Sequence, residues 1–200
     1  MGFNNTMNTN EIILASSSPR RKELLSKTVY RFKVITPSAE ERRDKDENIN
    51  EYLIRNVKDK AYLVKKNLSK ETNMNNIFIS ADTVVTFKDL LFEKPIDRQD
   101  AFQMLSQLSG NTHEVITTYG CFLGRKEIIQ SIKSTVKFSR LSRDHINWYL
   151  DKNEFMDKSG AYSAQGYAAC FIEKIVGSYT NILGLPLSQL CRTLEEIKDL

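Results

Sequence analysis

The stretch Ile13-Leu14-Ala15-Ser16-Ser17-Ser18-Pro19-Arg20-Arg21-Lys22-Glu23-Leu24-Leu25 decides how this chain is read: an apolar strand runs through three hydroxyls and a proline into a helix that opens on two arginines. A helix start leaves backbone N–H groups unpaired and carries the positive end of the macrodipole, so a phosphate or carboxylate fits there. Pro19 suits the first turn because it has no N–H to lose, and Ser18 stands where a cap belongs. Arg20 and Arg21 add planar, permanently charged forks suited to phosphate oxygens. Taken alone, the segment also fits an ordinary capped helix with solvated arginines.

Beyond this helix, a strand over 30–35 completes a β-α-β start. The charged run 37–50, which holds Glu40 and Glu41, reads as a solvated loop. Ile49, Leu53, Val57, Ala61, Val64 and Leu68 keep helical spacing and define a long amphipathic helix, with Lys58 and Lys60 off that stripe. The polar patch 69–76 reads as a loop. Residues 77–80 form a short buried strand that delivers Ala81-Asp82-Thr83 at its end, where α/β proteins tend to place chemistry. A small hairpin over 84–87 and 90–92 turns at Lys88-Asp89.

Asp97 then caps a helix that Gly110 closes. Two long strands over 114–123 and 127–138, joined through Gly124-Arg125-Lys126, imply antiparallel pairing. Ser142 caps a helix to Leu150, a strand covers 168–175, and a closing helix runs over 187–198. The expectation is an α/β fold with a mixed sheet: one domain over 11–200 behind a disordered tail at 1–10.

Composition narrows the function classes. The chain has 200 residues, 40% of them hydrophobic, enough for a real core. Its 29 basic and 25 acidic residues leave a net charge of +4, which suits an anionic small substrate and does not demand one. Cys121, Cys170 and Cys191 are odd in number and show no C-x-x-C spacing, so neither a disulfide framework nor a zinc site is indicated. The first ten residues lack the apolar core of a signal peptide, and no apolar run approaches a membrane span. A soluble cytoplasmic protein is expected. No basic face interleaved with aromatics suggests stable nucleic-acid binding. P-loop, dinucleotide, hydrolase-elbow and zincin motifs are absent. His113 and His145 are the only histidines, and His113 is expected to support packing rather than chemistry.

Four further polar residues have the types phosphate chemistry uses: Glu41, Lys60, Asp82 and Lys94. Carboxylates hold Mg²⁺ and take a proton from water, while cations neutralise phosphoryl oxygens. Glu41 and Lys60 equally fit a solvated surface, and Asp82, following Ile77-Phe78-Ile79-Ser80-Ala81, fits either a site or an N-cap. In the loop 157–166, Gln165 offers the donor and acceptor that match a thymine or uracil edge; a solvent-wetted turn residue is the other reading.

Six motifs in order carry a resemblance: Leu14-Ala15-Ser16-x-Ser18-Pro19-Arg20-Arg21, Ala81-Asp82-Thr83, Glu93-Lys94-Pro95, Ser109-Gly110-x-x-His113, Asp157-Lys158-x-Gly160-Ala161-Tyr162-x-x-Gln165-Gly166, and Gly177-Ser178-Tyr179-x-Asn181-x-x-Gly184-Leu185-Pro186. From Ile12 to Leu190 the chain resembles the Maf family of nucleoside triphosphate pyrophosphatases. The resemblance implies an elongated mixed α/β structure related to the inosine triphosphate pyrophosphatases, with a cleft between two lobes and commonly a dimer.

It also implies roles. Asp82 would activate water, and Glu41 would help it hold a divalent cation, Mg²⁺ or Mn²⁺. Lys60, Lys94, Arg20 and Arg21 would grip the triphosphate, with Ser16 and Lys158 completing the substrate-binding set. Arg20, Thr83 and Gln165 fall at the specificity positions of the branch acting on dTTP and UTP, with modified pyrimidine nucleotides as further candidates. This chain departs from that branch at Ser159, where Ala is usual, and at Ser163-Ala164, where Gly-Ile is usual. Spacing from Arg20 favours Glu41 over the adjacent Glu40. Alternatives are a purine or 7-methylguanosine triphosphate pyrophosphatase and a nucleotide-binding regulator of septum formation.

Overall fold

The computed structural model describes residues 10–39, 42–44, 46–88 and 90–199. Glu40, Glu41, Asp89 of the expected hairpin turn and all but the last residue of the expected tail lie outside the described residues.

The opening segment folds as its residues dictate. Strand β1 (Ile12–Ala15) leads into helix α1 (Pro19–Ser26) and parallel strand β2 (Phe32–Ile35). Ser18 caps α1 by accepting from the Arg21 amide at 3.5 Å, and Pro19 takes the first helical position. The amphipathic stripe gives α2 (Ile49–Lys66). The expected loop after it instead holds a short helix, α3 (Lys70–Asn75): Ser69 accepts from the Thr72 amide at 3.2 Å, and that cap starts a turn the polar sequence does not advertise.

The expected short strand and separate hairpin are one 11-residue strand, β3 (Ile77–Phe87), folded back on β4 (Leu90–Phe92). Helix α4 (Arg98–Leu108) starts at the Asp97 cap, and strands β5 (Thr112–Leu123) and β6 (Lys126–Phe138) pair antiparallel, as expected. Ser142 caps α5 (Arg143–Leu150). Residues expected to begin the next strand form a 3-10 turn (Tyr167–Phe171), and only then does β7 (Ile172–Val176) begin. Helices α6 (Tyr179–Ile182) and α7 (Leu187–Asp199) close the chain.

The result is a mixed seven-stranded sheet in the order β2-β1-β3-β5-β6-β7, with β4 beside β3. Alternation along the strands divides the core. Ile12, Leu14, Ile77, Ile79 and Tyr119 pack with Leu24 and Leu25 of α1, Leu105 of α4, Tyr149 of α5 and Leu194 of α7. Ile13, Ala15, Phe78 and Phe122 pack on the other face against Val57, Ala61 and Val64 of α2.

One feature of the pairing makes room for a site. On one edge of β3, β1 pairs with Ile77 to Ile79 and β4 pairs with Val85 to Phe87. Between them, residues 80–84 keep only β5 as a strand neighbour among the described residues. Chain leaving β1 turns into α1 instead of continuing alongside, so the sheet has a gap in its middle, and Asp82 and Thr83 sit in it.

Away from this gap, His113 is 1% exposed and packs edge-on against Phe138 and Tyr162, its Nε2 lying 2.8 Å from the Tyr162 hydroxyl. Burial pushes its pKa down to about 4. The unfolded chain takes up this proton near the ordinary value of roughly 6.5, so His113 favours the fold above that pH and costs stability as pH falls towards 4. We expect a loss of about 2 kcal/mol at pH 5 relative to pH 7.5, read by urea unfolding. His113→Gln should flatten that component, and an unchanged pH slope in the variant would contradict it.

Candidate active site

Asp82 lies in the gap with 7% of its surface exposed, held from the α2 side. Lys60 Nζ donates to its Oδ1 at 2.9 Å and to the Ala81 carbonyl at 3.2 Å, and Asn56 Nδ2 donates to its Oδ2 at 2.7 Å. Lys60 is therefore not off the buried stripe as the sequence reading had it. It is 4% exposed, because seven residues after Leu53 and four before Val64 is the same face of a helix. Asn56, four residues earlier, stands on that face too, and the sequence reading missed it. A buried carboxylate is costly unless paired and hydrogen-bonded, and here both conditions are met.

Thr83, one residue on, points to the opposite face. Its hydroxyl accepts from Arg21 Nη2 at 3.1 Å, while Arg21 Nε donates to the Gly184 carbonyl at 2.9 Å. The Arg21 fork thus spans from α1 to the segment after α6. Gly184 has φ +101°, and a Cβ there would come within 3.3 Å of Thr83 Oγ1 and 3.6 Å of Arg21 Nε. Only glycine allows this approach at that backbone angle.

The gap opens into a cleft of about 960 Å³, whose walls include Arg20, Arg21, Asp82, Thr83, Lys94 and Lys158. That volume is of the size that holds a nucleotide. No hydrogen bond or ion pair holds the Arg20 guanidinium among the described residues; burial first, then the Arg21 charge, pushes its pKa down, while Tyr149 and Tyr162 oppose this. Lys158 is pushed down by burial and by Arg20, less by Lys94, with Asp157 and Glu154 opposing. These cations are close enough to feel one another, and an anion in the cleft relieves both their burial and their repulsion.

The Lys158 loop is fastened to the gap. Ser159 Oγ donates to the Thr83 carbonyl at 3.0 Å, and the Gly160 amide donates to the Glu93 carbonyl at 3.2 Å. Gly160 and Ala161 have φ of +70° and +60°, a tight left-handed pair that folds the loop over Val85. Ser159 thus makes a bond that the usual Ala cannot.

Three expected binding residues sit outside the cleft walls, and the first is Lys60, whose ammonium is turned onto Asp82 and the Ala81 carbonyl rather than into the cleft. Ser16 is buried beneath the turn, where its hydroxyl accepts from the Ser18 amide at 3.1 Å and shapes the entry to α1. Gln165 is exposed in the turn that follows Ala164, and Ala164 is the residue that reaches the wall. Glu41 lies outside the described residues.

For a divalent cation the donor chemistry is that of a shared site. Asp82 supplies a hard carboxylate facing the cleft, and no group of three His, Cys, Asp or Glu residues converges among the described residues. That fits a cation bound through one or two carboxylates together with phosphate oxygens, the usual habit of Mg²⁺, rather than an all-protein cage.

The family model described as Maf-like protein matches residues 11–197. The chain is 42% identical to the dTTP/UTP pyrophosphatase of Fusobacterium nucleatum over 188 residues, 93% of this chain and 95% of that protein. It is 40% identical to the dTTP/UTP pyrophosphatase of Pyrococcus furiosus over 186 residues, 92% and 94% of the two chains, and 41% identical to that of Clostridium perfringens over 189 residues, 92% and 96%. Among solved structures, the Staphylococcus aureus Ham1 protein superposes with a TM-score of 0.51 at 12% identity, covering 94% of this chain and 99% of that one, a likeness of fold. No helix among the described residues is long and apolar enough to cross a membrane.

Proposed function

Because this chain belongs to the Maf-like family, we propose that its cleft hydrolyses dTTP and UTP to the nucleoside monophosphate and pyrophosphate. The observation that carries the reading is a carboxylate, Asp82, held buried by Lys60 and Asn56 in a cleft whose walls carry Arg20, Arg21, Lys94 and Lys158 alongside Glu93 and Asp157. Its carboxylate, oriented on both oxygens, takes a proton from a water that attacks the α-phosphorus. The new P–O bond forms as the bond from the α-phosphorus to the bridging oxygen breaks, and pyrophosphate leaves. Arg20, Arg21, Lys94 and Lys158 neutralise the charge that gathers on the departing oxygens, so positioning and electrostatics suffice without a covalent nucleophile.

Asp82, with Glu41, would hold Mg²⁺ or Mn²⁺, which when bound adds charge neutralisation at the phosphates. Gln165 is the proposed base reader at the rim, next to Ala164.

The test is pyrophosphate release from dTTP, UTP, CTP, ATP, GTP and 7-methylguanosine triphosphate in Mg²⁺ or Mn²⁺. We expect dTTP and UTP to be turned over fastest, and chelation to stop the reaction. Faster turnover of a guanosine triphosphate, or no pyrophosphate from any of the six, would overturn the reading.

A further inference from the structure

Thr117 on β5 faces Thr83 across the sheet as its direct pairing partner, their hydroxyls 2.9 Å apart. Thr117 is fully buried, and its hydroxyl also lies 2.9 Å from the Asn181 carbonyl. A carbonyl only accepts, so the single Thr117 proton goes to Asn181. Thr83 must then donate to Thr117, and the Thr83 oxygen is left to accept from Arg21 Nη2, which is what its 3.1 Å contact shows. The proton count therefore fixes one direction for the chain: Arg21 to Thr83 to Thr117 to Asn181.

The far end of this chain does not move freely. Asn181 is buried, its Nδ2 donates to the Val115 carbonyl at 3.0 Å and to Ser134 Oγ at 2.9 Å, and its own carbonyl also accepts from the Gly184 amide at 2.9 Å. Gly184 in turn holds the other side of the Arg21 fork. Arg21 is thus gripped at two nitrogens by groups that both trace back to Asn181. Bonds in such a directed chain polarise and reinforce one another.

We propose that Thr117 is a positioning residue for the triphosphate: by fixing the Thr83 hydroxyl as an acceptor it aims the Arg21 fork into the cleft. The inference rests on reading Arg21 as a phosphate ligand. Valine in place of Thr117 keeps the shape and removes the proton, so Thr83 loses its acceptor and is free to turn its own proton towards Arg21.

The experiment measures binding of inorganic tripolyphosphate in Mg²⁺ buffer by calorimetry, a probe that carries the phosphate chain without a base, alongside dTTP turnover by the same preparations. Thr117→Val is expected to weaken tripolyphosphate binding and raise KM for dTTP by about fivefold to tenfold, with kcat within about twofold. Thr117→Ser should restore both. In an Arg21→Ala background, Thr117→Val should have no further effect, which a general packing defect would not produce. Thr117→Ala removes the same hydroxyl and serves if the valine variant does not fold.

Unchanged binding in Thr117→Val, or an equal loss with and without Arg21, would overturn the proposal. So would Arg21→Ala binding tripolyphosphate as the parent does, which would also remove Arg21 from the site. If the parent binds tripolyphosphate with the expected coupling yet releases no pyrophosphate from dTTP, the relay stands and the proposed reaction falls.

Discussion

Asp82→Asn should lower dTTP turnover by about a thousandfold, within the range a positioned general base contributes, while changing nucleotide binding far less. The amide keeps the shape of the carboxylate but cannot accept the water proton. It also takes one negative charge away from the phosphates, which offsets the weaker hold on a divalent cation, so affinity should change little. Lys60 and Asn56 both donate to Asp82, and an amide oxygen can satisfy only one side, so a modest fall in melting temperature accompanies the loss. The measurement is single-turnover hydrolysis with parallel calorimetric binding of dTTP in Ca²⁺. Turnover within about tenfold of the parent would remove Asp82 as the base.

Lys60→Met should cost both stability and rate. The Lys60 and Asp82 side chains are 5% and 10% exposed at a separation of 2.9 Å, so removing the ammonium leaves a carboxylate buried with one neutral donor. Breaking a buried pair from one side typically costs about 3–5 kcal/mol; the opening onto the cleft places the expectation near the low end, about 3 kcal/mol in urea unfolding. Turnover should fall by roughly a hundredfold as the carboxylate loses its fixed orientation. The double variant Lys60→Met with Asp82→Asn should unfold at higher urea than Lys60→Met alone, because the stranded charge is gone. A double variant less stable than either single one would contradict the pairing argument.

Much of this arrangement was legible locally. Ser18-Pro19-Arg20-Arg21 announces a capped helix after a strand, and Asp97 and Ser142 announce two more, because capping is a short-range contest for backbone donors. The β5–β6 hairpin follows from two long strand-like runs, the second alternating polar and apolar residues, around Gly124, whose φ is +58°. Less legible was β3, where Asp82 and Thr83 look like a strand's end. Their polarity reflects the missing neighbour on one edge, and that gap is set by where β1 and β4 stop, which is information from distant parts of the chain.

The buried polar residues were the harder part. Lys60 was displaced from the apolar stripe by its charge, yet its spacing from Leu53 and Val64 puts it on the buried face, and the same count would have found Asn56. Thr117 carries no local signal at all; its role appears only once its register opposite Thr83 is known. Gln165, named for its amide, stands exposed beside the wall rather than in it, since side-chain type says what a residue could read but not where a turn will point it.

In the proposed reaction, water activated by Asp82 attacks the α-phosphorus of a pyrimidine nucleoside triphosphate. Hydrolysis of dTTP in ¹⁸O-labelled water, with both products analysed by mass spectrometry, tests it most directly. The expected result is one ¹⁸O in thymidine monophosphate and none in pyrophosphate, with the labelled product lost in Asp82→Asn. Label in pyrophosphate, or release of thymidine diphosphate and inorganic phosphate, would contradict it.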